Sequence, residues 1–167
     1  VKVDRWLMNS YPAPFHQRAG RFPDGAKVDR WQLTTFAPPC FVKLDVGSAL
    51  VGSGARQGDR AQGFTMRTLN ALTPETETST HYFWSQAYDF LIDQRWVEGM
   101  VKANVTRAFS EDVDIVRRQQ QTISQFNGPT VDLLQDAGGL MARRIVDQLI
   151  AEEQGVAAPG EQSAAAE

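Results

Sequence analysis

The feature that most constrains this chain is a change of hydrophobic period near its middle. Up to about residue 86, apolar and polar residues alternate in short runs separated by Gly, Pro and polar turns, as in strands covered on one face. From about Gln94 to Phe126, Val97, Val101, Val105, Phe109, Val116 and Ile123 follow the three-and-four spacing of an amphipathic helix. Strands first and long helices afterwards, without β-α-β alternation or an internal repeat, specify an α+β fold in which an antiparallel sheet wraps a long helix.

The strands can be read individually. VKVDRWLM alternates Val1 and Val3 with Lys2 and Asp4, and a strand at the first residue implies a chain entered mid-domain. SYPAPFHQRAGRFPDG reads as a connecting loop with one short helical turn. AKVDRWQLTTF sets Trp31, Leu33 and Thr35 on one face, and CFVKLDV sets Val42, Leu44 and Val46 against Phe41, Lys43 and Asp45. Five glycines in the 17 residues of GSALVGSGARQGDRAQG indicate a long surface loop. The clearest hairpin joins GFTMRTLNAL to TSTHYFWSQ through the polar turn from Thr73 to Glu77. Its first arm aligns Phe64, Met66, Thr68 and Asn70, its second separates Thr80, Tyr82 and Trp84 from His81, Phe83 and Ser85, and one face must meet a core or cavity.

Asn127-Gly128-Pro129 is the expected stop of the long helix, and a final helix is expected after Asp136, a candidate N-cap. Met141, Ile145, Val146, Leu149 and Ile150 form its expected buried stripe. Residues 1–153 then make one domain. Residues 154–167, all Ala, Gly, Pro, Val and polar types with nothing to pack, read as a disordered tail.

Composition removes several function classes. A chain of 167 residues with 42% hydrophobic content builds one core. Seventeen Lys and Arg against twenty Asp and Glu, a net charge of −3, argue against nucleic acid as a partner. Cys40 alone forms no internal disulfide, and with two His it cannot complete a four-ligand Cys/His site, so a reducing cytoplasmic setting is expected. No apolar run suits a membrane span and no signal peptide opens the chain, so no membrane partner is expected.

One residue breaks the helical pattern. Counting along the stripe from Val101 through Val105 and Phe109 reaches Asp112, then Val116 and Ile123, whereas Glu111 and Asp114 point elsewhere. A carboxylate on an apolar face needs a cation, a hydrogen-bond network or a cavity, and a metal is one solution. A solvated acidic turn in SEDVD, or a helix N-terminus there with Ser110 as its N-cap, is the competing reading.

LTPETETSTHYFWSQ, then AFSEDVDIVRRQQ about thirty residues on, then AGGLMARRIVDQLIAEE, resemble the vanillate O-demethylase oxygenase group of Rieske non-haem iron oxygenases. KVDRWLMNSYPAPFH, VDRWQLTTFAPP and VGSGARQGDR extend the resemblance in the same order, over roughly residues 1–153. It implies the C-terminal part of a helix-grip catalytic domain, START/Bet v 1-like in shape, whose N-terminal part is missing. It implies an enzyme that O-demethylates or hydroxylates an aromatic acid such as vanillate with dioxygen. Hydroxylating a methoxy carbon gives a hemiacetal that loses formaldehyde.

The resemblance also assigns cofactors and residues. Asp112 matches the aspartate that, with two histidines, holds a mononuclear Fe(2+). Those histidines belong to an Asp-x-x-His-x-x-x-x-His segment upstream, and a Rieske 2Fe-2S cluster to a domain further upstream. Neither motif occurs here, so the chain alone is expected to be inactive. An NAD(P)H-dependent reductase and a homotrimeric complete protein are implied partners. Asn70 is the candidate substrate contact, with the satisfaction of backbone near a turn as its equal alternative, and His81 a weaker candidate. His16 is expected in a loop or at the surface, His81 in a core or cavity, and Trp31, Phe83 and Trp84 in the core. The rival function is a helix-grip module that binds a small apolar or aromatic ligand without redox chemistry.

Overall fold

The computed structural model describes residues 1–126, 128 and 131–155. Five strands form one antiparallel sheet in chain order: β1 (Lys2–Ser10), β2 (Val28–Ala37), β3 (Phe41–Leu50), β4 (Gly63–Pro74) and β5 (Thr80–Tyr88). Helix α1 (Pro14–Gly20) lies between β1 and β2, and α2 (Arg95–Gln125) and α3 (Ala137–Gln154) follow the sheet. The architecture is α+β, as the change of period requires, and among the described residues no helix is long and apolar enough to cross a membrane.

Alternation gives the sheet two unlike faces. Val28, Phe64, Met66 and Tyr88 point to the inner face, where Phe22, Phe90, Val97 and Val101 close over them. This cluster is aromatic at its centre: Phe90 meets Phe64 edge-on at 5.1 Å between ring centroids, and Phe15 meets both. The 31-residue α2 enters through Val97 and Val101, which are buried, and Val105, which is partly so.

The outer face carries a smaller core of Trp31, Ala49 and Ala55, with Trp6 and Leu33 against it. Trp31 lies opposite Gly47 on β3, where a Cβ would overlap both the Trp31 ring and the Phe64 carbonyl. Glycine there lets the indole lie flat on the sheet. The glycine-rich segment after β3, partly a 3-10 turn at Ala55–Gln57, folds back over Trp31. Asp45 fastens it by accepting hydrogen bonds from Trp31 Nε1 and Arg60 Nη1, both at 2.8 Å, while the Arg60 guanidinium covers the Trp31 ring.

Several expectations need correction. The segment read as a loop with one helical turn contains α1, whose Pro14 stands in the first turn, where a missing N–H costs nothing. His16 lies in that helix, 5% exposed and hydrogen-bonded through Nδ1 to Ser48 Oγ at 2.6 Å; it is a core residue, not a surface one. His81 is the reverse: it stands exposed on the outer face, 3.5 Å from Glu75. Trp31 is in the core as expected, but Phe83 stands exposed on the outer face, and Trp84 is exposed because Phe109 alone reaches it edge-on.

Both long helices begin and end within two residues of their expected limits. Asp136 is the N-cap residue of α3, although its carboxylate accepts from the Leu133 N–H rather than from the first turn. Of the expected stripe on α3, Ile145 and Val146 are half-buried, while Met141, Leu149 and Ile150 are exposed and Ala151 is buried instead. Gln154, assigned to the tail, closes α3, and Gly155 caps it with positive φ. The rest of the tail, and Asn127 and Pro129 of the expected helix stop, lie outside the described residues.

Candidate functional site

The inner face extends beyond the aromatic core along β4 to Thr68 and Asn70, with Trp84 opposite Asn70 and Tyr82 one diagonal step away on β5. Asn70 is 5% exposed, and its Oδ1 accepts a hydrogen bond from the Tyr82 hydroxyl at 3.0 Å. From above, α2 lowers Phe109 onto this pair: its ring is 5.4 Å from Tyr82 and 5.3 Å edge-on from Trp84. On the other side, Val42, the β3 neighbour of Asn70, lines a recess of about 280 Å³ with Val3, Thr34, Phe36, Gly138 and Ala142. Asn70 therefore stands at the junction of an aromatic wall and an apolar recess, a polar group among apolar surfaces of the kind that orients small ligands.

Asp112 lies three residues beyond Phe109 on the same helix. It is exposed, which overturns the expectation of a buried carboxylate: the apolar stripe continues as predicted, but the covering surface stops at Phe109. Its charge still reaches Tyr82. Partial burial first, and the Asp112 carboxylate second, raise the Tyr82 phenol above its ordinary pKa. SEDVD is neither a turn nor a helix start, because the segment is helical throughout and Ser110 Oγ donates to the Thr106 carbonyl, but its carboxylates are solvated as the competing reading expects.

Asn70 and Asp112 thus converge on Tyr82 from two elements. His81 does not join them: it points from the opposite face of the sheet, beside Phe83 and Glu75. A larger recess, about 640 Å³, also opens on that outer face between Lys43, Arg67, Leu69 and Ser85, and none of the candidate residues lines it. The sequence reading omitted Tyr82. The hairpin register could have supplied it, since the short turn pairs Leu72 with Tyr82 and brings the phenol next to Asn70.

The donor set decides what metal this chain can hold. A mononuclear iron of the two-histidine, one-carboxylate type needs three ligands together, and among the described residues no group of three His, Cys, Asp or Glu exists. Asp112 supplies one carboxylate, His16 is sealed in the core and His81 is on the other face. Cys40 stands alone, so a 2Fe-2S cluster has no ligand set here either. These residues do not hold either group unaided.

Comparison with known proteins agrees with the resemblance. The family model described as vanillate O-demethylase oxygenase C-terminal domain matches residues 1–152. Two Comamonas testosteroni proteins, named for the iron-sulfur subunit of a toluene-4-sulfonate monooxygenase system, are 35% and 33% identical over 95% of this chain and 46% of their own lengths. A vanillate O-demethylase oxygenase subunit from Pseudomonas sp. is 32% identical over 92% of this chain and 45% of its own length. The chain spans about half the length of the curated relatives it matches. No solved structure matches it significantly.

Proposed function

The chain belongs to the vanillate O-demethylase oxygenase C-terminal domain family, and from that premise we propose that it forms the C-terminal part of a Rieske-type oxygenase acting on an aromatic acid. The observation that carries this reading is the meeting of Asn70 and Asp112 at Tyr82, with Phe109 and Trp84 walling the space beside them. In this reading the substrate ring lies against the Phe109 and Trp84 rings. The Asn70 amide then donates to an acid oxygen and fixes the direction in which the ring lies. Desolvation by Phe109 and Trp84 strengthens that hydrogen bond.

Asp112 is the carboxylate this chain contributes to a mononuclear iron completed by two histidines outside these residues. Bound there, iron supplies the activation of dioxygen. The Rieske cluster likewise belongs to the remainder of the complete protein, which receives electrons from NAD(P)H through a separate reductase and assembles as a homotrimer. The reaction is O-demethylation of a methoxy acid or hydroxylation of an aromatic acid on the same site.

The test uses the complete protein with Asp112→Ala. Asp112 is exposed and outside both hydrophobic cores, so the variant should fold normally. The expected result is loss of mononuclear iron and of formaldehyde release from vanillate, with the Rieske cluster's absorption spectrum unchanged. Full iron content and turnover in the variant would remove Asp112 from the site.

A further inference from the structure

The hydrogen bond between Tyr82 and Asn70 determines more than the position of the two side chains. A primary amide presents an acceptor on one side and two donors on the other, and rotation by half a turn exchanges them. Here Oδ1 is engaged by the Tyr82 hydroxyl at 3.0 Å. Among the described residues, Ser53 Oγ is the one enclosed side-chain polar atom without a partner. Asn70 Nδ2, which makes no hydrogen bond there, is therefore not fully enclosed and remains open to a partner on the inner face of the sheet.

Resting on the reading of Asn70 as a ligand contact, we infer that Tyr82 is a specificity-determining positioning residue: by holding Oδ1 it leaves Nδ2 to meet a ligand, so the site selects aromatic ligands bearing an oxyanion acceptor over those bearing a donor. The phenol is well placed for this. Its ring is held against Phe109, and its register on β5 is fixed by pairing with Leu72. In this arrangement the hydroxyl donates to Oδ1, which leaves the two donors of the Asn70 amide for a ligand.

The experiment measures, by titration calorimetry on the complete protein, the dissociation constants of benzoate, a pure acceptor at its polar end, and aniline, which presents N–H donors. Tyr82→Phe keeps the ring and removes the hydroxyl, freeing the amide to rotate. The benzoate preference should fall about tenfold while aniline binds at least as well, the size expected for one hydrogen bond to a charged group. Asn70→Asp, which still accepts from Tyr82 but offers no donor, should reverse the preference toward aniline. A Tyr82→Phe protein that weakens both ligands equally, or changes neither, overturns the inference. Asn70→Ala separates the two levels: if it leaves benzoate affinity unchanged, the reading of Asn70 itself fails. If Asn70→Ala weakens benzoate but Tyr82→Phe preserves the preference, only the role of Tyr82 fails.

Discussion

The two ends of α2 obey the same hydrophobic period and meet opposite surroundings. Over Arg95–Val105, Val97 and Val101 close onto Phe64, Phe90 and Val28, and α1 seals the margin with His16 and Ala19. Beyond Phe109 the stripe continues through Asp112 to Val116 and Ile123, all of them exposed. The difference lies in the sheet, which offers a packed face near Phe64 and only the edges of Tyr82 and Trp84 farther along. One end of the inner face is a core that defines the fold; the other is a surface with polar groups placed on it. A helix stripe therefore states which side faces the sheet, and the sheet decides how much of that side is buried.

The largest effect should come from truncating matched aromatic residues at the two ends. Phe64 is 1% exposed at the centre of the aromatic cluster, so Phe64→Ala should cost about 3–5 kcal/mol through lost burial and an unfilled cavity. Trp84 is 38% exposed and touches Phe109 at one edge, so Trp84→Ala should cost no more than about 1 kcal/mol. Urea unfolding midpoints of the two variants provide the measurement. Similar losses would mean that the far end is packed as tightly as the near end.

The histidines show where sequence reasoning stopped. Strand order, the β4–β5 hairpin and the extent of α2 follow from periods that persist over many residues. His16 belongs to a seven-residue helix, too short to display a period, and its burial depends on Ser48, 32 positions away. His81 sits in a strand whose alternation separates two faces without saying which one a helix will cover. The same gap explains Asp112: its position on the stripe was correctly counted, but the extent of the covering sheet is a tertiary property. Asn70 was placed on the right face because Phe64 and Met66 share it, and the strongest apolar pair marks the core side.

The near end should also respond to acid through a group buried in its core. Burial, then the positive charge of Arg30, push His16 down to about 4 from its ordinary 6.5. The unfolded chain thus binds a proton at a higher pH than the folded one, and stability falls as pH drops. The loss begins below about 6.5, grows through the interval and is complete below about 4, amounting to roughly 3 kcal/mol. His16→Gln, which has no titrating group at this position, should flatten that part of the stability profile whatever its effect at pH 7. An unchanged slope between pH 6.5 and 4 in the variant would show that other groups dominate acid unfolding.

The smallest expected effect tests the other side of the comparison. Val116 is 59% and Ile123 57% exposed, so replacing either with Ser removes little surface that folding had taken from water. Serine also has a somewhat different helix propensity, but the difference from a β-branched residue is only a few tenths of a kcal/mol. The double variant Val116→Ser, Ile123→Ser should therefore shift the unfolding free energy by less than about 1 kcal/mol, read from the same urea titrations. A larger loss in the complete protein would mean that other parts of it cover this stripe, so that the exposure of α2 beyond Phe109 describes only residues 1–167. A near-zero change there would instead establish the distal half of α2 as surface and leave Asp112 at the boundary between core and solvent, the position from which a carboxylate can reach a ligand without first being dehydrated.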